Sequence, residues 1–188
     1  MERLYYHTHD VIKSYLQKYR HSHDRSLDNI KGLLKDLGSP QDKLPPVIHL
    51  AGTNGKTSTA TFMKSILEAN GQSVHMFVNP HLYRVNERII LNGELIDDEQ
   101  LCTLFEEVDK AVKDRQISVF DFVYAAALLA FSRQKADVVI VEVGKGGRHD
   151  PTNSIDQKAM SIFTTISCDN RLFFCPSLDK VVSEKAGI

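Results

Sequence analysis

The sequence His49-Leu50-Ala51-Gly52-Thr53-Asn54-Gly55-Lys56-Thr57-Ser58 decides the fold, because an apolar run leads straight into a glycine-rich turn and a helix start. Gly52 and Gly55 let the backbone bend and approach a phosphate without an intervening side chain. Lys56 adds a positive charge for the β- and γ-phosphates of a nucleotide. The stretch predicts a phosphate cradle, formed by Gly52, Thr53, Asn54, Gly55, Lys56, Thr57 and Ser58.

Two hydroxyl groups at the start of the predicted helix are candidates for holding Mg²⁺ beside the phosphates. They belong to Thr57 and Ser58, and the spacing leaves both open. Residues 46–51 form the short apolar run of a buried parallel strand, and apolar residues recur at helical spacing over 60–67. The helix N-terminus would then face the anion. An ordinary strand-to-helix loop that happens to contain Gly and Lys is the alternative interpretation.

The composition favours a single domain that recognises its ligands locally. The 188 residues include 23 Lys and Arg against 24 Asp and Glu, so charge gives no case for nucleic acid or a membrane as partner. The three cysteines are too few and too irregularly spaced for a disulfide framework. Residues 1–7 lack the apolar core of a signal peptide, and no stretch approaches the ~20 apolar residues of a membrane span. We therefore expect a cytoplasmic protein.

The rest of the chain alternates between helical and extended patterns. Such alternation predicts an α/β fold, with a mostly parallel sheet flanked by helices and a small hairpin. The predicted elements are, in chain order, two helices over 8–38 with Ser26 capping the second, a strand at 73–78, a hairpin over 87–96 turning at Asn92-Gly93, helices along 101–112 and 120–131, and strands at 136–143 and 159–166.

Polar or glycine-rich segments follow four of the predicted strands. They are the cradle and residues 79–81, 142–148 and 167–170. Ligands of open parallel sheets collect beyond the carboxyl ends of the strands, so these segments are expected to form the site. Glu142 is the natural carboxylate for a hard cation, alongside Thr57 or Ser58. A solvated or salt-bridged glutamate is the alternative.

Taken together, these segments resemble the N-terminal, ATP-binding part of folylpolyglutamate synthase and dihydrofolate synthase, members of the Mur ligase superfamily. The resemblance covers nearly all of the chain and implies a P-loop NTPase-like Mur ligase central domain. It is carried by residues 49–56, 79–82, 84–88, 142–144, 146–148, 150, 152–153 and 184–188.

The resemblance implies an ATP- and Mg²⁺-dependent ligation. The carboxylate of folate or dihydropteroate takes the γ-phosphoryl group, and the amine of glutamate then displaces phosphate from the acyl phosphate. Lys56 and Lys185 are the implied catalytic residues, Lys185 matching a lysine that the family can carbamylate. The implied metal ligands are Ser58, Glu142 and Asn170, and the implied substrate-binding residues are His81, Arg84, Arg148, Asp150 and Asn153.

Structural roles are the alternatives for several of these residues. Arg148, Asp150 and Asn153 could simply organise their loop. His81 could be a loop hydrogen-bonding group, and Lys185 a plain surface lysine at a helix C-terminus.

Two departures from the family pattern bear most on activity. Asn170 stands where the family has a metal-binding histidine, so it offers a carbonyl oxygen but no imidazole. The sequence also stops at Ile188, where the family continues into a glutamate-binding domain. We therefore expect one incomplete domain over 1–188, inactive in isolation, which pairs with a separate C-terminal domain polypeptide or is a remnant. A catalytically inactive nucleotide- or folate-binding remnant and a fragment of a Mur-type peptidoglycan ligase are the alternative functions.

Overall fold

The computed structural model describes residues 2–20, 27–168 and 177–188. The predicted helix cap Ser26 and the predicted metal ligand Asn170 lie outside the described residues. In chain order the elements are α1 (Glu2–Lys18), α2 (Leu27–Asp36), β1 (Val47–Ala51), α3 (Lys56–Ala69), β2 (Val74–Phe77), β3 (Ile89–Leu91), β4 (Glu94–Leu95), α4 (Asp98–Val112), α5 (Val119–Arg133), β5 (Val138–Glu142), β6 (Met160–Phe163) and α6 (Leu178–Lys185).

The six strands form one sheet in the order β4-β3-β2-β5-β1-β6. The four strands β2, β5, β1 and β6 run parallel, with Ile48 of β1 opposite both Ile140 and Met160. Strands β3 and β4 are antiparallel and form the predicted hairpin. Asn92 and Gly93 at its tip have φ values of 49° and 90°, the positive pair that a type I′ turn needs. The mostly parallel α/β sheet with a small hairpin is thus confirmed.

Helices cover both faces of the sheet. On one face, α1, α2, α4 and α5 pack over a large apolar core that includes Val139 and Val141 of β5. On the other face, α3 packs over a smaller cluster that includes Val138 and Ile140 of the same strand. Alternate residues of a strand point to opposite faces, so the apolar residues 138–141 of β5 are buried on both sides of the sheet, and Glu142 ends the strand.

Two elements begin or end at residues other than the predicted ones. Helix α4 begins at Asp98, three residues before the predicted start, because the Asp97 carboxylate accepts the Gln100 N–H at 2.7 Å as an N-cap. Strand β6 ends at Phe163, although the prediction continued to residue 166, because the chain beyond it pairs with the cradle instead of the sheet.

Apolar side chains are exposed on the edge strand β6 and on helix α3. Met160 and Phe163 of the edge strand β6 are 53% and 44% exposed, and Phe62 and Ile66 of α3 are 70% and 68% exposed. Among the helices in the described ranges, none combines the length and the apolar character that a membrane span requires.

Candidate functional site

The predicted cradle lies between β1 and α3, at the carboxyl end of the parallel strands. Gly52 and Gly55 both have positive φ, at 154° and 81°. A Cβ atom on Gly52 would lie 1.8 Å from Oγ1 of Thr164, so only glycine fits there. Gly55 is the N-cap of α3 and carries no side chain to cap the first-turn N–H groups, and that turn contains no acidic residue. The helix N-terminus therefore presents N–H groups and positive potential toward the cradle.

The chain after β6 holds the cradle in place. The Thr164 N–H donates to Ala51 O at 2.9 Å, and the Thr53 N–H donates to Thr165 O at 2.7 Å. The Thr53 hydroxyl donates to Ser167 O at 3.0 Å. Thr53, predicted to bind phosphate, therefore has its N–H and its hydroxyl engaged with this strand extension.

The two predicted catalytic lysines converge on one carbonyl oxygen. Lys56 Nζ donates to Gly52 O at 3.1 Å, and Lys185 Nζ donates to the same atom at 2.9 Å. Lys185 is the last residue of α6 but is only 6% exposed, so it is not the surface lysine of the alternative interpretation. Two lysine side chains thus end at the cradle, where phosphates would be placed.

Glu142 ends β5 and faces the cradle from the neighbouring strand. Its carboxylate is 1% exposed and accepts the Thr57 hydroxyl at 2.8 Å and the Asn79 N–H at 3.4 Å. Lys56 Nζ lies 4.0 Å away. Burial raises the pKa of Glu142, while the Thr57 hydroxyl, the Lys56 charge and the Asn79 N–H oppose that rise. The buried Glu142 carboxylate has lost more stabilisation from water than these three groups restore, so it is suited to bind a cation.

The geometry favours one of the two candidate metal-holding hydroxyls. Both residues are exposed, but it is the Thr57 hydroxyl that donates to Glu142 at 2.8 Å. Within the described ranges no three His, Cys, Asp or Glu side chains cluster as a metal site, so a cation here would also rely on phosphate or water oxygens. Asn79 lies in the segment after β2 that was expected at the site; its hydrogen bond to Glu142 was not predicted from the sequence.

His81 lies in a loop that the protein itself organises. Arg88 Nε donates to His81 Nδ1 at 2.8 Å, and burial, helped by the Arg88 charge, lowers the pKa of His81. The Glu87 carboxylate accepts the backbone N–H groups of residues 82–84 at 2.6, 2.9 and 2.8 Å. His81 is therefore a loop hydrogen-bonding group here, and its contact with substrate stays a prediction.

Arg84 is directed toward the start of α4. Its guanidinium forms an ion pair with Asp98, which also accepts the Asn86 side-chain amide at 2.8 Å. The pair joins the loop before β3 to the first turn of α4. A role for Arg84 in substrate binding likewise stays a prediction.

Asp150 is buried under the glycine-rich loop that follows β5. It is 3% exposed and accepts the Lys145 N–H at 2.7 Å, the Thr152 N–H at 3.1 Å and the Thr152 hydroxyl at 2.5 Å. Burial raises the pKa of Asp150 to about 6 against the effect of these hydrogen bonds. The Asp150 side chain therefore fixes the conformation of the glycine-rich loop through hydrogen bonds on its buried side.

His49 extends this buried network into β1. Its Nε2 lies 2.9 Å from the Thr152 hydroxyl, whose hydrogen is donated to Asp150. Nε2 is consequently the protonated nitrogen, and Nδ1 has no hydrogen-bond partner within the described part of the chain. Burial, with a smaller effect of the Lys158 charge, lowers the pKa of His49 to about 3. The sequence showed His49 only as part of the strand.

Replacing His49 with glutamine should flatten the acid side of the stability profile. The unfolded chain takes up a proton at His49 below about pH 6.5, whereas the folded chain does so only near pH 3. The wild-type free energy of unfolding should therefore fall as pH decreases between these values, by about 1.4 kcal/mol per pH unit relative to His49→Gln. Urea unfolding of both proteins from pH 7 to pH 4 measures the difference. If the free energies of unfolding of the two proteins change in parallel with pH, His49 does not have this lowered pKa in the folded chain.

Comparisons with known proteins agree with this geometry. Residues 50–188 match the Mur ligase middle domain. A dihydrofolate synthase/folylpolyglutamate synthase of Haemophilus influenzae is 38% identical over 181 residues, which make up 93% of this chain and 40% of the relative. The chain thus spans about 40% of the length of such relatives.

Solved structures of related enzymes have the same fold. E. coli FolC in complex with DHPP and ADP superposes with a TM-score of 0.87 at 34% identity, covering 93% of this chain and 42% of that one. A bifunctional folylpolyglutamate synthase/dihydrofolate synthase from Yersinia pestis, complexed with AMPPNP and a Mn ion, has a TM-score of 0.84 at 31% identity, covering 90% and 42%. The chain therefore belongs to the Mur ligase family, whose middle domain matches its residues 50–188.

Proposed function

We propose that this chain forms the ATP-binding part of a ligase that adds glutamate to folate or dihydropteroate through an acyl phosphate. The observation that carries the proposal is the convergence of Lys56, Lys185 and Glu142 on the cradle at the N-terminus of α3. The names of its relatives, and the ADP and AMPPNP in their structures, support a nucleotide and a folate-related substrate.

The proposed cofactors are ATP and Mg²⁺. The Glu142 carboxylate and the Thr57 hydroxyl are hard oxygen donors, the kind that Mg²⁺ prefers, and they already contact each other. The Mn ion in the Yersinia pestis structure supports a divalent cation. When bound, such a cation would neutralise phosphate charge and polarise the γ-phosphoryl group.

The side chains of the chain itself would position the phosphates. Lys56 now donates to the carbonyl groups of Gly52 and Thr53, at 3.1 and 3.4 Å, and would turn from them to the β- and γ-phosphates. Lys185 Nζ ends beside the cradle, where the carbamylation implied by the family resemblance would turn it into a carboxylate-like metal ligand. Phosphoryl transfer depends mainly on positioning and charge neutralisation, which these groups supply with the first-turn N–H groups of α3.

Replacing Glu142 with glutamine should uncouple nucleotide binding from Mg²⁺. Glutamine keeps the shape but loses the charge, so we expect the Mg²⁺-dependent gain in ATP affinity to drop by about tenfold or more. Calorimetric titration with ATP, in Mg²⁺ and in EDTA, measures this gain. Glu68→Gln, which changes a half-buried glutamate of α3 paired with Lys64, is the control and should retain it. An unchanged gain in Glu142→Gln would place the cation elsewhere.

The folate or dihydropteroate site is proposed at the loops after β2 and β5. Of the five predicted residues, Arg148 is exposed and therefore the most open to a substrate carboxylate, whereas Asp150 is buried. His81 and Arg84 would reach a substrate only by leaving their partners Arg88 and Asp98.

Glutamate is proposed to be bound by polypeptide outside this chain, such as a separate C-terminal domain, and the domain in 1–188 is proposed to be incomplete. The match to only about 40% of the relatives' length supports this proposal.

A glutamate-incorporation assay tests the function as a whole. Purified chain, alone and together with the remaining part of a complete relative, is supplied with ATP, Mg²⁺, labelled glutamate and dihydropteroate or folate. Incorporation in either mixture supports the ligase. ATP binding without incorporation in both would instead indicate an inactive nucleotide-binding remnant. The relatives named above favour folate over the peptidoglycan alternative.

A further inference from the structure

The end of α6 packs backbone to backbone against the glycine-rich loop. A Cβ atom on Gly147 would lie 2.7 Å from Glu184 O and 2.9 Å from Cα of Lys185, and one on Gly187 would lie 2.6 Å from Cβ of Arg148. The Arg148 N–H donates to Glu184 O at 2.8 Å. Two glycines thus allow a contact that brings Lys185 next to the loop.

The side chain of Asn153 ties this contact together. Its amide nitrogen donates to Arg148 O and to Gly187 O, each at 3.0 Å, and its amide oxygen accepts Lys158 Nζ at 2.8 Å. One side chain therefore joins the glycine-rich loop, the turn after α6 and the segment before β6. Both hydrogens of the amide are used, one on each side of the contact.

The contact also fixes where the Lys185 side chain ends. Lys185 Nζ donates to Gly52 O at 2.9 Å, and Lys56 Nζ donates to the same oxygen. Lys185 is the last residue of α6, and helix ends fray unless other contacts hold them. The end of α6 therefore has to be held in place for Lys185 Nζ to stay at this oxygen.

We propose that Asn153 is a positioning residue for Lys185: it holds the end of α6 against the glycine-rich loop and so keeps Nζ of Lys185 at the phosphate cradle. Asn153 then acts through Lys185 and not by contacting folate. The inference rests on the proposed function only in so far as the cradle binds a nucleotide, because the anchoring itself is a property of the free chain.

The decisive variant is Asn153→Asp. It keeps the shape of the side chain and the bond from Lys158, but it faces the carbonyl groups of Arg148 and Gly187 with oxygens in place of N–H donors. Acylation of Lys185 by N-hydroxysuccinimide acetate, followed by mass spectrometry, measures its accessibility. We expect acylation to become faster by about tenfold or more, since two hydrogen bonds that close the contact are lost.

Two further variants keep the test decisive. Gly187→Ala disrupts the same contact without touching Asn153 and should also speed acylation, even if Asn153→Asp does not fold. Lys158→Ala leaves both donor bonds of Asn153 intact and should change the rate little. Unchanged acylation of Lys185 in folded Asn153→Asp and Gly187→Ala would overturn the proposal.

A double-mutant cycle separates positioning from a general structural role. Asn153→Asp alone should weaken ATP binding, whereas in a Lys185→Met background it should cause no further loss. A full additional loss in that background, or weaker dihydropteroate binding with Lys185 still protected, would overturn the proposal. If the wild-type chain binds no nucleotide, the proposed function fails, and the acylation rates still decide the role of Asn153.

Discussion

Replacing Lys56 with alanine should weaken the binding of Mg-ATP by about a hundredfold or more, because a charge-assisted contact to the phosphates is removed from the centre of the cradle. Lys56 Nζ lies 3.1 Å from Gly52 O and 4.0 Å from the Glu142 carboxylate, so no long movement is needed to reach a phosphate. Alanine is a good helix former, and α3 should still start at this position. Calorimetric titration with Mg-ATP measures the loss.

Lys64→Ala is the matched control for this result. Lys64 lies on the same helix but pairs with Glu68 at 2.8 Å, away from the cradle. Its replacement should leave ATP affinity within about twofold of the wild-type value, since the net charge change alone is screened by salt. If wild type, Lys56→Ala and Lys64→Ala bind Mg-ATP with equal affinity, the cradle does not bind the phosphates.

Replacing Gly52 with alanine should destabilise the fold by about 3 kcal/mol or more. The new Cβ would lie 1.8 Å from Oγ1 and 3.0 Å from Cβ of Thr164, and φ is 154°. Thr164 cannot simply retreat, because its N–H donates to Ala51 O at 2.9 Å. Urea unfolding measures the cost.

Gly71→Ala separates the clash from the cost of positive φ. Gly71 has a φ of 81°, and a Cβ atom added there would meet no other atom within 4 Å, so its replacement should cost only about 1 kcal/mol. Thr164→Ala in the Gly52→Ala background should recover part of the lost stability, because it removes the nearest atom. Equal costs at Gly52 and Gly71 would contradict the close approach of residue 164.

Local patterns predicted most of the fold. The apolar run around Val138–Glu142 predicted a strand buried on both faces, and Asn92-Gly93 predicted the hairpin turn. The glycines and Lys56 predicted the cradle between β1 and α3. These signals are local, since strand burial, turn conformation and helix starts depend on neighbouring residues.

Contacts between distant parts of the chain could not be predicted from the sequence. The Thr53 N–H is taken by Thr165, and the Lys185 side chain reaches back to Gly52, more than a hundred residues away. The sequence also could not tell which of Thr57 and Ser58 would hold the cation. Adjacent residues of a helix point about 100° apart, so the choice depends on the exact residue at which α3 begins, and the sequence does not give that residue. Asp150 and Asn153 followed a glycine run, which is typical of ligand loops, yet their hydrogen bonds are to the protein itself.

The most direct test of the central claim is a calorimetric comparison of Mg-ATP with adenosine on the wild-type chain. If the cradle between β1 and α3 binds phosphates, Mg-ATP should bind at one saturable site, about a hundredfold more tightly than adenosine. Equal affinities for the two ligands, or no saturable binding of Mg-ATP by folded protein, would contradict it.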